Sequence, residues 1–140
     1  MPPAIHILRL HPGDDLRAAL AALPAALGIS AGFILSGIGS LSPAVIRYAG
    51  ATAGTRIDGD SEIISMAGTL AGEGGPHVHI AVADASGAVW GGHLLAGAIV
   101  RTTAEIVIGI SDEWQLTREV DAVTGFRELV ARPANTKAGS

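Results

Sequence analysis

The chain has 140 residues, 49% hydrophobic and 16% charged, with 13 acids against 9 bases for a net charge of −4. That length can bury one domain's core, and the apolar content excludes a disordered chain. Every 18-residue stretch is broken by charge, proline or glycine, so no membrane span is expected, and the charge balance argues against a chain built to coat phosphate backbones. The absence of cysteine excludes disulfides and thiolate metal sites and fits a cytoplasmic setting, and the Met-Pro-Pro-Ala-Ile-His start does not read as a signal peptide.

Residues 4–10 read as a short strand, turned by His11-Pro12-Gly13. Asp14 or Asp15 is placed to cap a helix, because a carboxylate accepts hydrogen bonds from the free N–H groups of a first turn. Leu16, Leu20, Leu23 and Leu27 then recur on one helical stripe, Gly28 supplies the stop, and Pro24 is expected to kink or shorten the helix. From Gly32 onward, glycine-punctuated strands are expected over 32–38, 43–49, 62–70, 76–83, 88–100 with a break at Gly91-Gly92, 103–110 and 113–119. The apolar run 94–110 calls for burial on two sides, by a helix or a partner subunit. The expected architecture is α+β, a mainly antiparallel sheet with one principal helix. Residues 1–131 are expected to form a single domain and 132–140 a flexible tail.

The strongest chemical signal is Pro76-His77-Val78-His79 followed by Gly91-Gly92-His93, which holds three of the five histidines. Side chains of a strand alternate, so His77 and His79 share a face. A three-residue hairpin loop at Ala85-Ser86-Gly87 pairs Asp84 with Ala88 and so sets His79 opposite His93. Three imidazoles on one face suit Zn²⁺, one ion per chain, which takes neutral nitrogen donors at about 2.1 Å. Glu62, Glu73 and Glu105 are candidates for the fourth ligand or for groups bonded to the ligands, and Arg47 or Arg101 for a cation facing a substrate. A glycine bulge at Gly91-Gly92 would shift the register. Gly37-Ile38-Gly39-Ser40 lacks the features of a phosphate loop. Gly72-Glu73-Gly74-Gly75-Pro76 is a turn or a lid, and Trp90 and Trp114 are read as packing residues.

Gly32–Leu41, Glu62–Leu70, Gly75-Pro76-His77-Val78-His79 and Gly91-Gly92-His93-Leu94 together resemble the PPC (plants and prokaryotes conserved) domain family, from about Arg9 to Val130. The resemblance implies a mainly antiparallel sheet and a homotrimer. In plants the domain follows an AT-hook in nuclear DNA-binding proteins, and bacterial and archaeal members stand alone as candidate DNA-binding proteins. The plant hexapeptide Gly-Arg-Phe-Glu-Ile-Leu corresponds here to Gly59-Asp60-Ser61-Glu62-Ile63-Ile64, without its Arg and Phe, and no Arg-Gly-Arg-Pro hook is present. More remotely, the histidines resemble the zinc site of acetolactate decarboxylase, which carries over His77, His79 and His93 as ligands.

Three readings follow. One is a trimeric PPC-domain protein with a histidine metal site and a DNA-associated regulatory role, with weak DNA binding by the isolated chain because Lys137 is the only lysine. The second is a zinc-dependent lyase or hydrolase acting on a small carboxylate or ester held at the metal. The third is a structural trimer without catalysis.

Overall fold

The computed structural model describes residues 4–135. In chain order the elements are β1 (Ala4–Leu10), α1 (Leu16–Leu27), β2 (Ala31–Leu41), β3 (Ala44–Arg47), β4 (Thr55–Ile57), β5 (Ser61–Ala71), β6 (Pro76–Asp84), β7 (Val89–Leu94), β8 (Val100–Ile110), β9 (Trp114–Val120) and β10 (Arg127–Pro133). Strands β1 to β8 form one sheet in the order β1-β8-β2-β5-β6-β7-β3-β4, while β9 and β10 pair separately. Every pairing is antiparallel, so the fold is α+β with a single helix among the described residues. That helix is too short to cross a membrane.

The helix begins where Asp15 accepts from the Ala18 N–H at 2.9 Å, and it ends at Gly28, whose φ of 65° suits a residue without Cβ. The second Asp15 oxygen accepts from the Gly97 N–H at 2.7 Å, tying the helix start to the segment before β8. Leu16, Leu20 and Leu23 are buried with Leu70, Val78 and Ile80, and Leu27 remains exposed at the end of the stripe. Each such burial stabilises by about 1.5–3 kcal/mol. Pro24 does not shorten the helix, which continues to Leu27, and its carbonyl accepts from the Ile29 N–H at 2.9 Å.

The structure departs from several expectations. The strand at 89–94 runs unbroken through Gly91-Gly92, and the break comes after Leu94. Gly92 is there for close packing: a Cβ on it would lie 2.5 Å from the Arg47 carbonyl oxygen. The apolar run is buried within the chain on one face, where Ala104, Ile106 and Ile108 of β8 lie in the core, while Arg101 and Glu105 on its other face are exposed. Trp90 and Trp114 are largely exposed, and the Trp90 indole N–H donates to Asp84 Oδ2 at 3.0 Å. Strand β10 runs through Arg132 and Pro133, into the segment expected as tail; residues 136–140 of that segment lie outside the described residues.

Candidate metal centre and its arginine-lined cavity

Alternation along β6 sends Val78, Ile80 and Val82 into the core and His77 and His79 to the opposite face. The β6–β7 hairpin closes through Ala85-Ser86-Gly87. Gly87 has φ of 83°, and the Asp84 N–H donates to the Ala88 carbonyl at 2.9 Å. The resulting register sets His79 directly opposite His93.

The three rings then converge. Ring centroids are 4.9 Å apart for His77 and His79, 5.0 Å for His77 and His93, and 4.6 Å for His79 and His93. His77 Nε2 lies 3.2 Å from His93 Nδ1, and one nitrogen from each ring falls within 4.8 Å of the others. Ligands at about 2.1 Å from a tetrahedral ion stand roughly 3.4 Å apart, so small rotations about χ angles suffice to close the set. Burial holds the His77 imidazole below its ordinary range, and the positive charge of Arg118 adds to this; burial and then Arg47 act on His93 in the same direction. Both causes favour the neutral ring, the form that donates to a metal. The donor set therefore fits zinc.

The triad borders a cavity of about 790 Å³ to which His77 and His93 contribute. A smaller cleft of about 210 Å³ lies against His77 and His79 on the side of Ala67 and Thr69. Arg17, Arg47, Arg118 and Arg127 line the larger cavity with Glu128. Arg47 is there because it pairs with His93 across β3 and β7, and its Nη1 donates to the Ala51 carbonyl at 3.2 Å. Arg118 arrives from β9. Its N–H donates to the Glu73 carbonyl at 3.1 Å, and its Nη2 donates to Thr69 Oγ1 at 2.9 Å. Thr69 pairs with His77, which brings the guanidinium beside the triad.

The other expected residues lie elsewhere. Arg101 forms an ion pair with Asp60 at 3.1 Å. Glu105 lies opposite Arg9 and Ile38 on β8, which β2 and β5 separate from β6. Glu62 lies opposite Ala83, four residues along β6 from His79. Glu73 lies in the loop before β6 and contributes its carbonyl to Arg118. None of these four lines the cavity, and among the described residues the triad cluster contains no carboxylate. Sequence reasoning missed Arg17, Arg118, Arg127 and Glu128. The local signal nearest to Arg118 is Gly74, whose φ of 93° and want of a Cβ let the loop pass against the Arg118 side chain.

An antiparallel α+β domain with an outward-facing histidine triad is the class that this fold and this site define. The chain belongs to the family of the Plants and Prokaryotes Conserved (PCC) domain, the family abbreviated PPC above, whose model matches residues 2–112. It is 43% identical over 136 residues to the Bifunctional protein GlmU of a Synechococcus strain, a match covering 95% of this chain and 21% of the relative. The chain thus spans about a fifth of the length of the curated relatives it matches. Among solved structures it resembles a hypothetical protein from Salmonella enterica, at 38% identity and a TM-score of 0.88 over 93% of this chain and 94% of that one. It also resembles a metal-containing protein from Archaeoglobus fulgidus, at 28% identity and a TM-score of 0.77 over 93% and 95%. A candidate DNA-binding protein from Ralstonia eutropha aligns at 25% identity with a TM-score of 0.77 over 89% of each chain.

Proposed function

We propose that this PPC-domain protein binds one zinc ion through His77, His79 and His93 and acts there as a lyase or hydrolase on a small carboxylate or ester in the adjoining cavity. The observation that carries the reading is the convergence of three imidazole nitrogens within 4.8 Å beside an arginine-lined cavity. Bound zinc supplies Lewis-acid polarisation of a carbonyl group. Arg47 and Arg118 supply positive charge at the same wall, where an anionic ligand is attracted and oriented. The metal-containing Archaeoglobus neighbour lends support.

The test is metal analysis of untagged protein beside His79→Ala and His6→Ala. About one zinc per chain is expected in wild type and in His6→Ala, and little in His79→Ala. Wild-type protein that neither contains zinc nor takes it up overturns the reading, and equal occupancy in His79→Ala overturns the ligand assignment.

Assembly as a homotrimer is part of the same proposal. Ile5, Ile7, Leu35, Ile38 and Ile64 are 51–64% exposed. Ile5 lies in a cross-strand row that runs through Gly109, Phe33 and Thr69 to His77, on the face of the sheet that carries the triad. Such an apolar face favours burial against further copies. Light scattering at micromolar concentration should give three times the 14.1 kDa chain mass, and a monomer mass overturns it.

A DNA-associated regulatory role is the second reading, favoured by the description of the Ralstonia neighbour. Against it stand the net charge of −4 and the placement of half the arginines inside a concavity. Gel shifts at physiological salt should show at most weak, salt-sensitive binding. Nanomolar, site-selective binding would reverse the preference.

A further inference from the structure

We propose that Arg118, with Arg47, Arg127 and Arg17, forms a subsite for an oxyanion group, carboxylate or phosphate, and that the β9–β10 hairpin thereby selects the ligand of the cavity. Four of the eight arginines in a chain of net charge −4 line this one cavity, and Glu128 is the single carboxylate among its lining residues. Glu128 also accepts from Thr124 Oγ1 at 3.0 Å.

Arg118 is the centre of the subsite. It is only 8% exposed, its Nη2 bonds Thr69, and its buried Nε has no partner. Among the described residues no carboxylate is hydrogen-bonded to this guanidinium, and Glu128 acts on it through its charge alone; burial on those terms is costly, and a bound oxyanion offsets that cost. Arg127 Nη2 donates to the Arg118 carbonyl at 2.6 Å, as Arg47 does to Ala51. Each of these side chains is thus oriented by one of its five donors, with others left for planar oxyanion recognition.

Two halves of the molecule meet here. Arg47 and the histidines lie within residues 2–112, where the family model matches; Arg118 and Arg127 lie on the hairpin beyond it. A ligand spanning the cavity touches both. The volume, about 790 Å³, falls within the range of small-molecule sites. This subsite stands on the arginines alone and does not require the metal.

The experiment is titration calorimetry at physiological salt with two probes, inorganic phosphate and succinate, on zinc-loaded and chelator-treated protein. Wild type should bind at least one probe in both forms, and the stronger probe identifies the oxyanion. Arg118→Gln should weaken that binding by about ten- to hundredfold, in zinc-loaded and chelator-treated protein alike. Because Arg118 is buried, its fold is checked by circular dichroism, and the exposed Arg127→Gln carries the same test with a smaller loss. The subsite is overturned if neither probe binds wild type, or if both variants bind as wild type does. Binding lost with zinc but insensitive to both arginine variants places the anion on the metal; the zinc reading then survives and this one does not. Binding that persists in protein unable to take up zinc, and that depends on the arginines, leaves the subsite standing and removes the metal reading.

Discussion

The β6–β7 and β9–β10 hairpins face the same cavity and are held in place by different means. The first lies inside the eight-stranded sheet, with Val78, Ile80, Val82 and Leu94 buried and its histidines on the other face. The second is a sheet of two strands that leaves Val120, Phe126 and Leu129 exposed. It is held by backbone bonds from Leu116 to Ser30, from Gly72 to Leu116 and from Arg118 to Glu73, at 3.0–3.1 Å. A lone two-stranded hairpin is marginal in water, so this one depends on those edge bonds. A histidine triad anchored by core packing thus faces an arginine-bearing wall anchored mainly by hydrogen bonds.

The largest effect expected is on the metal. His93→Ala removes the ligand that the hairpin register sets opposite His79, and zinc affinity should fall by about a hundredfold or more, read by competition with a chromophoric chelator. An unchanged affinity would break the link between register and site.

Next comes the packing under β7. Gly92→Ala places a Cβ 2.5 Å from the Arg47 carbonyl and 2.7 Å from Ile46 Cγ2, and should destabilise by about 1–3 kcal/mol in urea unfolding. Gly91→Ala meets nothing closer than the Ile80 carbonyl oxygen at 3.4 Å and should stay within about 0.5 kcal/mol of wild type. Equal losses at the two glycines would mean that close packing of β3 on β7 does not anchor this hairpin.

Acid should distinguish the hairpins. His77 and His93 are depressed from the ordinary 6.5, first by burial and then by Arg118 and Arg47 respectively. Below that value the unfolded chain binds protons that the folded, metal-free protein does not. Stability is therefore full above pH 6.5 and falls as pH drops from there through the folded values. Glu119 of β9, hydrogen-bonded by Arg132 and Thr117, is pulled down to about 2 and stays ionised throughout that window. Melting temperature of metal-free protein should fall between pH 7.5 and 5.5, and less so in His77→Gln than in wild type.

The smallest effect is expected at Arg101. Its pair with Asp60 is solvent-exposed, so Arg101→Gln should cost less than about 1 kcal/mol and leave zinc and anion binding unchanged. A loss of anion binding there would extend the subsite beyond the cavity.

The legibility of the two hairpins follows from the same contrast. Asp84-Ala85-Ser86-Gly87 sets its own loop conformation: Asp84 Oδ1 accepts from the Ser86 and Ala88 N–H groups at 2.8 and 3.0 Å, and Gly87 takes the left-handed position. Local turn chemistry thus fixes the register, and the register brings the histidines together. Strand β10 was not anticipated because Arg-Glu-Leu-Val-Ala-Arg-Pro buries no face and so carries no alternation to read. Arg47 could be proposed as a cation near the histidines, but its position depends on pairing between β3 and β7, which are distant in the chain.

What the sequence determined by itself is therefore local: the helix with its Asp15 cap and Gly28 stop, most strand positions, and the His79–His93 register. All of these follow from contacts within a few residues or across one short loop. Tertiary structure alone decided which charges meet the triad. It sent Arg101 to Asp60 and kept Glu62 and Glu105 off the cavity, while it brought Arg118 against Thr69, 49 residues away. That meeting depends on a second sheet docking on the β5–β6 loop, and no periodicity or spacing along the chain encodes so distant a contact.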